Sequence, residues 1–185
     1  MTIESERLIL RRWRNGDRDP FARINRDPRV MEYLPRPLSH EESGEMIDRI
    51  ERHFEEHGFG LWAAELRDGG EFIGYIGLAV PRLNAAFTPC VEIGWRLSPE
   101  FWGRGLATEG ALSVAQNAFA VVGLTELVSF TVPANRRSLR VMDKLGMTHD
   151  PKDDFDHPLL PERHPLRRHV LYRLQHADWM GQKEI

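Results

Sequence analysis

Two glycines flank an arginine in the stretch SPEFWGRGLATEG, residues 98–110, just before a segment with helical periodicity. The first turn of a helix leaves backbone N–H groups unpaired and carries a partial positive charge, so it attracts anions. Glycine has no Cβ, which lets a phosphate approach the backbone closely. Residues 103–108 would present successive amides to such a phosphate, with Arg104 adding a cation at the rim. The structural alternative is that Gly103 and Gly105 only form a tight turn between strand and helix.

Two common nucleotide-binding loops do not fit this stretch. A Walker A loop needs a lysine followed by Ser or Thr after its last glycine, and the stretch contains no lysine. A Rossmann loop has a third Gly or Ala where this sequence has Thr108, and no strand–helix–strand unit opens the chain. The remaining candidate is the pyrophosphate of coenzyme A, which needs only the amides of a helix N-terminus.

One carboxylate, Glu92, lies on a predicted strand, residues 88–97, just ahead of the glycines. As a general base it would take a proton from a nucleophile. The alternative is a carboxylate on the polar face of a half-buried strand, which is the commoner role for a lone strand glutamate. Alternation places Glu92, Gly94 and Arg96 on one face, and Val91, Ile93, Trp95 and Leu97 on the other.

The elements around these residues predict an α+β fold, a mixed and mostly antiparallel sheet flanked by helices. Ser39 and Glu42 form a capping-box pattern at the start of a long helix that Gly58 ends. Strands are predicted at 6–13, 59–66, 71–80, 88–97, 126–132 and 167–174, with a hairpin turn at 68–70 and a loop at 149–165. Helices are predicted at 39–58, 106–122 and 135–146, the second with Ala107, Ala111, Val114, Ala118 and Val121 on one face.

Composition indicates one globular domain over residues 1–185. The chain is 41% hydrophobic and 29% charged, and its net charge of −3 gives no electrostatic case for nucleic acid. Cys90 is the only cysteine, which suits a reducing compartment. The chain has no apolar run long enough to cross a membrane and no signal-peptide pattern at its start. We therefore expect a cytoplasmic protein.

The two long motifs VEIGWRLSPEFWGRGLAT and VPANRRSLRVMDKLGM, joined by a helix, resemble the GNAT N-acetyltransferases. The similarity is strongest to the ribosomal-protein N-terminal acetyltransferase (RimJ/RimL-like) branch, and it extends from about residue 6 to residue 174. The family signature Gln/Arg-x-x-Gly-x-Gly/Ala is matched at Gly105 and Ala107. Trp102 replaces the first signature residue, as is common in this branch. The resemblance implies the acyl-CoA N-acyltransferase fold, with acetyl-CoA as co-substrate and no metal.

The same resemblance implies roles for individual residues. Glu92 would deprotonate the amine, and Ser138 would help to protonate the leaving sulfur. Asn135 would bond the coenzyme, although its position also predicts a helix N-cap. The backbone of Trp95, Arg96 and Leu97 would pair with the pantetheine arm, and the pyrophosphate would be held by Trp102, Gly103, Arg104, Gly105, Leu106, Ala107 and Thr108.

The chain departs from the wider family at two places. The tyrosine that commonly serves as general acid is replaced by Met142, which leaves the acid role to Ser138, a water or no residue. The loop 149–165 matches neither an EF-hand nor a zinc pattern. We expect it to be solvated and on the substrate side, where its carboxylates would attract a cationic amine. Asp154 and His157 are alternative acid–base groups.

We therefore expect acetyl transfer from acetyl-CoA to a primary amine by direct attack, without a cysteine intermediate at Cys90. The acceptor would be a protein N-terminal amine or a small-molecule amine, the latter a polyamine, an amino-acid-like metabolite or an aminoglycoside. The alternative from another class is a non-catalytic acyl-CoA-binding or sensory module. The chain would be a monomer or a homodimer, with no nucleic-acid or membrane partner.

Overall fold

The computed structural model describes residues 2–181, which form one nine-stranded sheet with helices packed against it. The strands are β1 Ile3–Glu4, β2 Leu8–Arg11, β3 Leu61–Leu66, β4 Phe72–Ala79, β5 Glu92–Leu97, β6 Glu126–Thr131, β7 Thr148–His149, β8 Phe155–Asp156 and β9 Arg168–Gln175. The α-helices are α1 Arg18–Arg26, α2 Pro28–Met31, α3 His40–His57, α4 Leu106–Asn117, α5 Arg136–Lys144 and α6 His176–Gly181.

The sheet has the order β1-β2-β3-β4-β5-β6-β9-β7, with β8 added against β9. All of its strand pairs are antiparallel except β5 with β6. The connection from β5 to β6 runs through α4, as a parallel pair requires. The α+β fold predicted from the sequence is therefore confirmed, and its one parallel junction lies beside the candidate site residues.

The capping signals predicted for the long helix are confirmed at both ends of α3. Ser39 accepts a hydrogen bond from the backbone N–H of Glu42, and the Glu42 carboxylate accepts one from the N–H of Ser39. Gly58 ends the helix with φ +74°, a conformation that glycine adopts without steric cost. Ile47, Ile50 and Phe54 bury the apolar stripe of this helix in the core.

Two predicted strand boundaries and one predicted buried position were wrong. The first strand covers only Leu8–Arg11, because Arg14 already caps a 3₁₀ turn at Asn15–Asp17. The strand predicted at 88–97 begins at Glu92, since Pro89 has no N–H to give to a ladder. Val121, predicted on the buried face of a helix, is 60% exposed because a π-helical turn at Ala118–Val122 changes the period there.

Two glycines let β4 lie unusually close to its neighbours. A Cβ at Gly77 would lie 2.2 Å from the carbonyl oxygen of Gly60, and one at Gly74 would lie 2.1 Å from that of Arg96. No side chain fits into either space. The position of β5 against β4 therefore depends on glycine at position 74. Among residues 2–181, no helix is long and apolar enough to span a membrane.

Candidate active site

A cavity of about 500 Å³ opens where β5 and β6 separate, and α2, α4 and α5 complete its walls. The two strands meet at one register pair, Glu92 with Val128. Beyond that pair, residues 94–97 of β5 have β4 on one side and the cavity on the other. The predicted site residues that line the cavity are Glu92, Trp95, Arg96, Leu97, Trp102, Gly103, Gly105, Leu106, Ala107, Thr108, Asn135 and Ser138.

The two glycines of the opening stretch are needed for the turn itself. Gly103 has φ +72° and Gly105 has φ +80°, both in the left-handed region that other residues rarely adopt. Gly105 is the N-cap of α4, and no side chain caps this helix. The amides of Leu106, Ala107 and Thr108 therefore point out of the first turn without intrahelical acceptors. The tight-turn and phosphate-cradle interpretations are compatible, since the turn produces the exposed amides.

Trp102 connects this turn to the end of β5. Its indole N–H donates to the carbonyl oxygen of Leu97 at 2.8 Å. The guanidinium of Arg137, at the start of α5, lies over the indole ring at 4.3 Å from the ring centroid. Trp102 thus contributes to the cavity wall and also holds β5, the glycine turn and α5 together.

Arg104 does not line the cavity, unlike the other predicted coenzyme residues. Its guanidinium instead lies over the Phe101 ring, 5.4 Å from the centroid. The backbone carbonyl of Arg104 accepts a 2.9 Å hydrogen bond from Arg7, which also forms an ion pair with Glu109 at 2.6 Å. Arg7 and Glu109 therefore fasten the glycine turn from outside. The placement of Arg104 as a cation at the rim gains no support from this geometry.

Glu92 lies at the point where β5 and β6 separate, partly buried in the cavity wall. Burial raises the pKa of this carboxyl to about 8. Among the described residues, no cation forms an ion pair with it that would counter this effect. A carboxylate whose pKa is near neutral accepts protons efficiently at physiological pH.

Asn135 caps α5, as its position predicts. Its side-chain oxygen accepts from the backbone N–H of Ser138 at 3.3 Å, and its Nδ2 donates to the hydroxyls of Thr131 and Ser138, each at 3.0 Å. The Ser138 oxygen is thus an acceptor in this network, which leaves its own proton available to another group. Met142, where the wider family has tyrosine, is buried and lines the same cavity.

The loop predicted at 149–165 is irregular and mostly exposed over 157–165, but its first part is ordered against β9. Its segments form β7, a 3₁₀ turn and β8, all of which lie beside β9. Asp153 pairs with Arg173 at 2.6 Å, and Asp154 pairs with His149 at 2.7 Å. Arg173 of β9 neutralises Asp153, and Arg168 of β9 lies 3.9 Å from Asp154, so each of these carboxylates already has a cation beside it. Neither Asp154 nor His157 lines the cavity, so neither is placed for acid–base chemistry there.

Sequence reasoning missed several basic residues of α5 that line the cavity. Arg137, Arg140 and Lys144 line the cavity from α5 with spacing i, i+3 and i+7, which is the period of one helix face. That spacing is visible in the sequence and was the available signal. Among the described residues, no group of three or more His, Cys, Asp or Glu side chains is arranged to hold a metal ion.

The chain matches the acetyltransferase (GNAT) domain family over residues 7–148. It is 33% identical to the FsC-acetyl coenzyme A-N(2)-transacetylase of Aspergillus fumigatus over 155 residues, which are 80% of this chain and 65% of that protein. The alignment with this chain therefore spans about two thirds of the length of the fungal protein.

Solved structures show the same fold. An acetyltransferase from Agrobacterium tumefaciens superposes with a TM-score of 0.76 at 28% identity, covering 95% of this chain and 94% of that one. RimJ of Mycobacterium smegmatis, in complex with CoA-disulfide, superposes with a TM-score of 0.77 at 19% identity, covering 96% and 88%. The match over residues 7–148 shows that the chain belongs to the acetyltransferase (GNAT) domain family.

Proposed function

We propose that this chain acetylates a primary α-amine by direct attack on the thioester of acetyl-CoA, with Glu92 accepting the proton of the amine. The observation that carries the proposal is the position of Glu92 at the junction of β5 and β6. Among the described residues, Glu92 is the one carboxylate that lines the cavity. There the amine would meet the open backbone of β5, along which the pantetheine arm is expected to lie.

The acidity of Glu92 favours an α-amine over a lysine side chain. A free α-amino group has a pKa of about 8 and a lysine amine about 10.4. Burial raises the pKa of Glu92 to about 8, so a proton passes from an α-ammonium to this carboxylate with little change in free energy. The same transfer from lysine would be uphill by roughly 3 kcal/mol.

The other lining groups supply binding and leaving-group chemistry. The amides of Leu106, Ala107 and Thr108 would hold the pyrophosphate, as anions are held at helix N-termini. Ser138, whose oxygen accepts from Asn135, would donate its proton toward the departing thiolate. The basic side chains of α5 would add charge complementarity for the phosphates.

A covalent route through the single cysteine is not part of the proposal. Cys90 does not line the cavity, and burial raises the pKa of its thiol to about 11. A thiol with this acidity stays protonated near neutral pH, whereas the nucleophilic form is the thiolate. Direct attack by the amine therefore needs no intermediate on the enzyme.

The acceptor is either a protein N-terminal α-amine or the α-amine of a small molecule. The branch resemblance of the Trp102 motif supports the first class. The Aspergillus fumigatus relative is named for transfer to one nitrogen, N(2), of its acceptor, which supports an enzyme that selects one amine. A non-catalytic acyl-CoA-binding module is the competing proposal.

Release of free CoA, measured with a thiol reagent across a panel of amines and N-terminal peptides, tests the proposal. We expect turnover with α-amines, and a loss of about 100-fold or more in kcat for Glu92→Gln with acetyl-CoA binding retained. Glu71→Gln is the matched control, since Glu71 is exposed and outside the cavity. Tight acetyl-CoA binding without turnover of any amine would instead identify the binding module.

A further inference from the structure

We propose that Arg96 receives a carboxylate of the acceptor, so that the amine acetylated here belongs to an amino acid or a short peptide. The inference rests on the proposed function, because it takes the Glu92 side of the cavity as the acceptor side. Glu92 and Arg96 share one face of β5, four residues apart, and both line the cavity. At about 3.3 Å per residue, their Cα atoms are about 13 Å apart.

The Arg96 side chain is held in place by neutral groups. Its Nη1 donates to the side-chain oxygen of Asn25 at 2.7 Å, and its guanidinium lies over the ring of Tyr75, 5.4 Å from the centroid. Asn25 is itself fully buried and donates to the hydroxyl of Ser43. This support comes from α1, α3 and β4, so the guanidinium is preorganised without a counter-charge.

Other arginines of the interior differ in this respect. Arg11 forms ion pairs with Asp17 and Glu65, and the partly buried Arg173 pairs with Glu126 and Asp153. Within residues 2–181, no carboxylate forms an ion pair with Arg96. A partly buried cation without a charged partner gains from an anionic ligand, because each then neutralises the other.

The free edge of Arg96 suits a carboxylate. A guanidinium has five N–H donors. Within the described chain, the side-chain hydrogen bonds of Arg96 are donated by Nη1. The edge formed by Nε and Nη2 matches the two oxygens of a carboxylate in bidentate geometry. The pyrophosphate site is elsewhere, at the first turn of α4, so the side chain of Arg96 is not needed there.

The charge of the cavity also argues against polycationic acceptors. Its lining includes five cationic side chains and one carboxylate, which is partly neutral near pH 8 because of burial. The three cations on α5 are assigned to the coenzyme phosphates and Arg29 pairs with Asp27, so among the described residues Arg96 is the lining cation left to face the acceptor. Additional ammonium groups on a polyamine or an aminoglycoside would be repelled in such a cavity. A molecule that combines one amine with one carboxylate matches it. The cationic side chains are Arg29, Arg96, Arg137, Arg140 and Lys144.

The test compares acceptors in matched pairs: α-, β- and γ-amino acids and dipeptides, each against its C-terminal amide. We expect kcat/KM to be about 10- to 100-fold higher for the carboxylate member of the preferred pair, as for a hydrogen bond between charged groups. Arg96→Gln should reduce that ratio to near 1 while KM for acetyl-CoA changes by less than about twofold. Arg96→Lys keeps the charge but cannot bind a carboxylate in bidentate geometry, so it should give an intermediate ratio of kcat/KM between acid and amide.

Arg23→Gln is the matched control, because Arg23 is exposed on α1 and lies outside the cavity. Acetyl-CoA calorimetry on every variant verifies that the fold and the coenzyme site are intact. Equal turnover of acids and amides by the unmodified protein overturns the role of Arg96 and leaves the proposed function standing. So does a ratio that Arg96→Gln and Arg96→Lys both leave unchanged. Binding of acetyl-CoA with no amine turned over overturns both.

Discussion

The indole N–H of Trp102 and the carbonyl oxygen of Leu97 are joined by a 2.8 Å hydrogen bond that links the glycine turn to the end of β5. The bond uses the last strand carbonyl before the turn. It keeps the start of α4 at a set distance from the open edge of β5. Since the two ends of acetyl-CoA are expected to bind to these two elements, the bond sets the geometry of the coenzyme site.

Trp102→Phe should weaken acetyl-CoA binding with little effect on the chemical step. Phenylalanine keeps a ring against Arg137 but has no N–H for Leu97, and one hydrogen bond contributes about 1 kcal/mol. We expect a rise of about fivefold in KM for acetyl-CoA, with kcat within about twofold of the unmodified protein. Steady-state kinetics at saturating acceptor measures this. A fall in kcat at unchanged KM would contradict the role assigned to Trp102.

Gly103→Ala should distinguish the two proposed roles of this glycine, which are to adopt a positive φ and to let the pyrophosphate approach the backbone. Backbone strain at φ +72° costs roughly 1 kcal/mol for a residue with a Cβ, which lowers Tm by a few degrees. If the pyrophosphate also approaches this residue, KM for acetyl-CoA rises about tenfold or more. Gly69→Ala is the matched control, with φ +86° and equally open surroundings, but at a distant hairpin turn. Equal KM values for acetyl-CoA in the two variants would show that Gly103 is needed only for the conformation of the turn.

The rate should depend on the ionisation of Glu92. Because burial raises its pKa to about 8, the carboxylate form increases as pH rises from 6 to 8. We expect kcat/KM to increase about tenfold per pH unit in that range and to level off above about 8. An acceptor amine with a pKa below about 5 keeps its own ionisation out of this window. A flat profile for that acceptor would remove Glu92 as the base.

Glu92 should also lower stability as pH rises. Its pKa in the folded protein, about 8, is above the ordinary value of 4.5, so folding favours the protonated form. The stability that this provides is complete below pH 4.5 and is lost as pH rises toward 8. At pH 8 the free energy of unfolding of Glu92→Gln should therefore exceed that of the unmodified protein by about 1–3 kcal/mol, which raises its Tm. The two proteins should unfold alike at pH 4, as thermal melts can verify.

His53 should make the protein sensitive to acid. Its Nε2 accepts from the N–H of Val80 at 3.0 Å and its Nδ1 lies 2.9 Å from the carbonyl oxygen of Phe59, so only a neutral ring satisfies both. Burial lowers the pKa of His53, so its stabilising effect is present above pH 6.5 and is lost as pH falls. His53→Phe should cost about 1–3 kcal/mol at pH 7.5 and less at pH 5. A constant difference in Tm across this range would contradict this account.

Local signals predicted much of the fold. The capping box at Ser39, the turn at 68–70 and the N-cap at Asn135 are determined by neighbouring residues, so the sequence reports them directly. The expectation that the carboxylates of the loop 149–165 would attract a cationic amine gained no support. Their partners are distant in sequence, since β9 supplies the Arg173 that neutralises Asp153. A carboxylate in a sequence carries no sign of the cation that will face it.

The candidate site likewise contains some features that the local sequence predicts and others that depend on tertiary packing. Glu92, the glycine turn and Asn135 were found because motif spacing places them on consecutive elements. The environment of Arg96 was not found, since Asn25 and Tyr75 meet it only after α1 and β4 have packed. The hydrogen bond from Trp102 to Leu97 likewise depends on the geometry of the turn, which cannot be predicted from the local sequence.

The absence of a side chain at Gly74 bears on how this enzyme tolerates change. A side chain there would collide with the carbonyl of Arg96 and push β5 along or away from β4. A slip of one residue would carry Glu92 and Arg96 to the opposite face of the sheet, so the proposed base and the proposed carboxylate receptor would be lost together. Gly74 therefore sets the alignment of β5 against β4. Attempts to redirect the enzyme to new acceptors have more freedom in α2 than in the β4 residues that set this alignment.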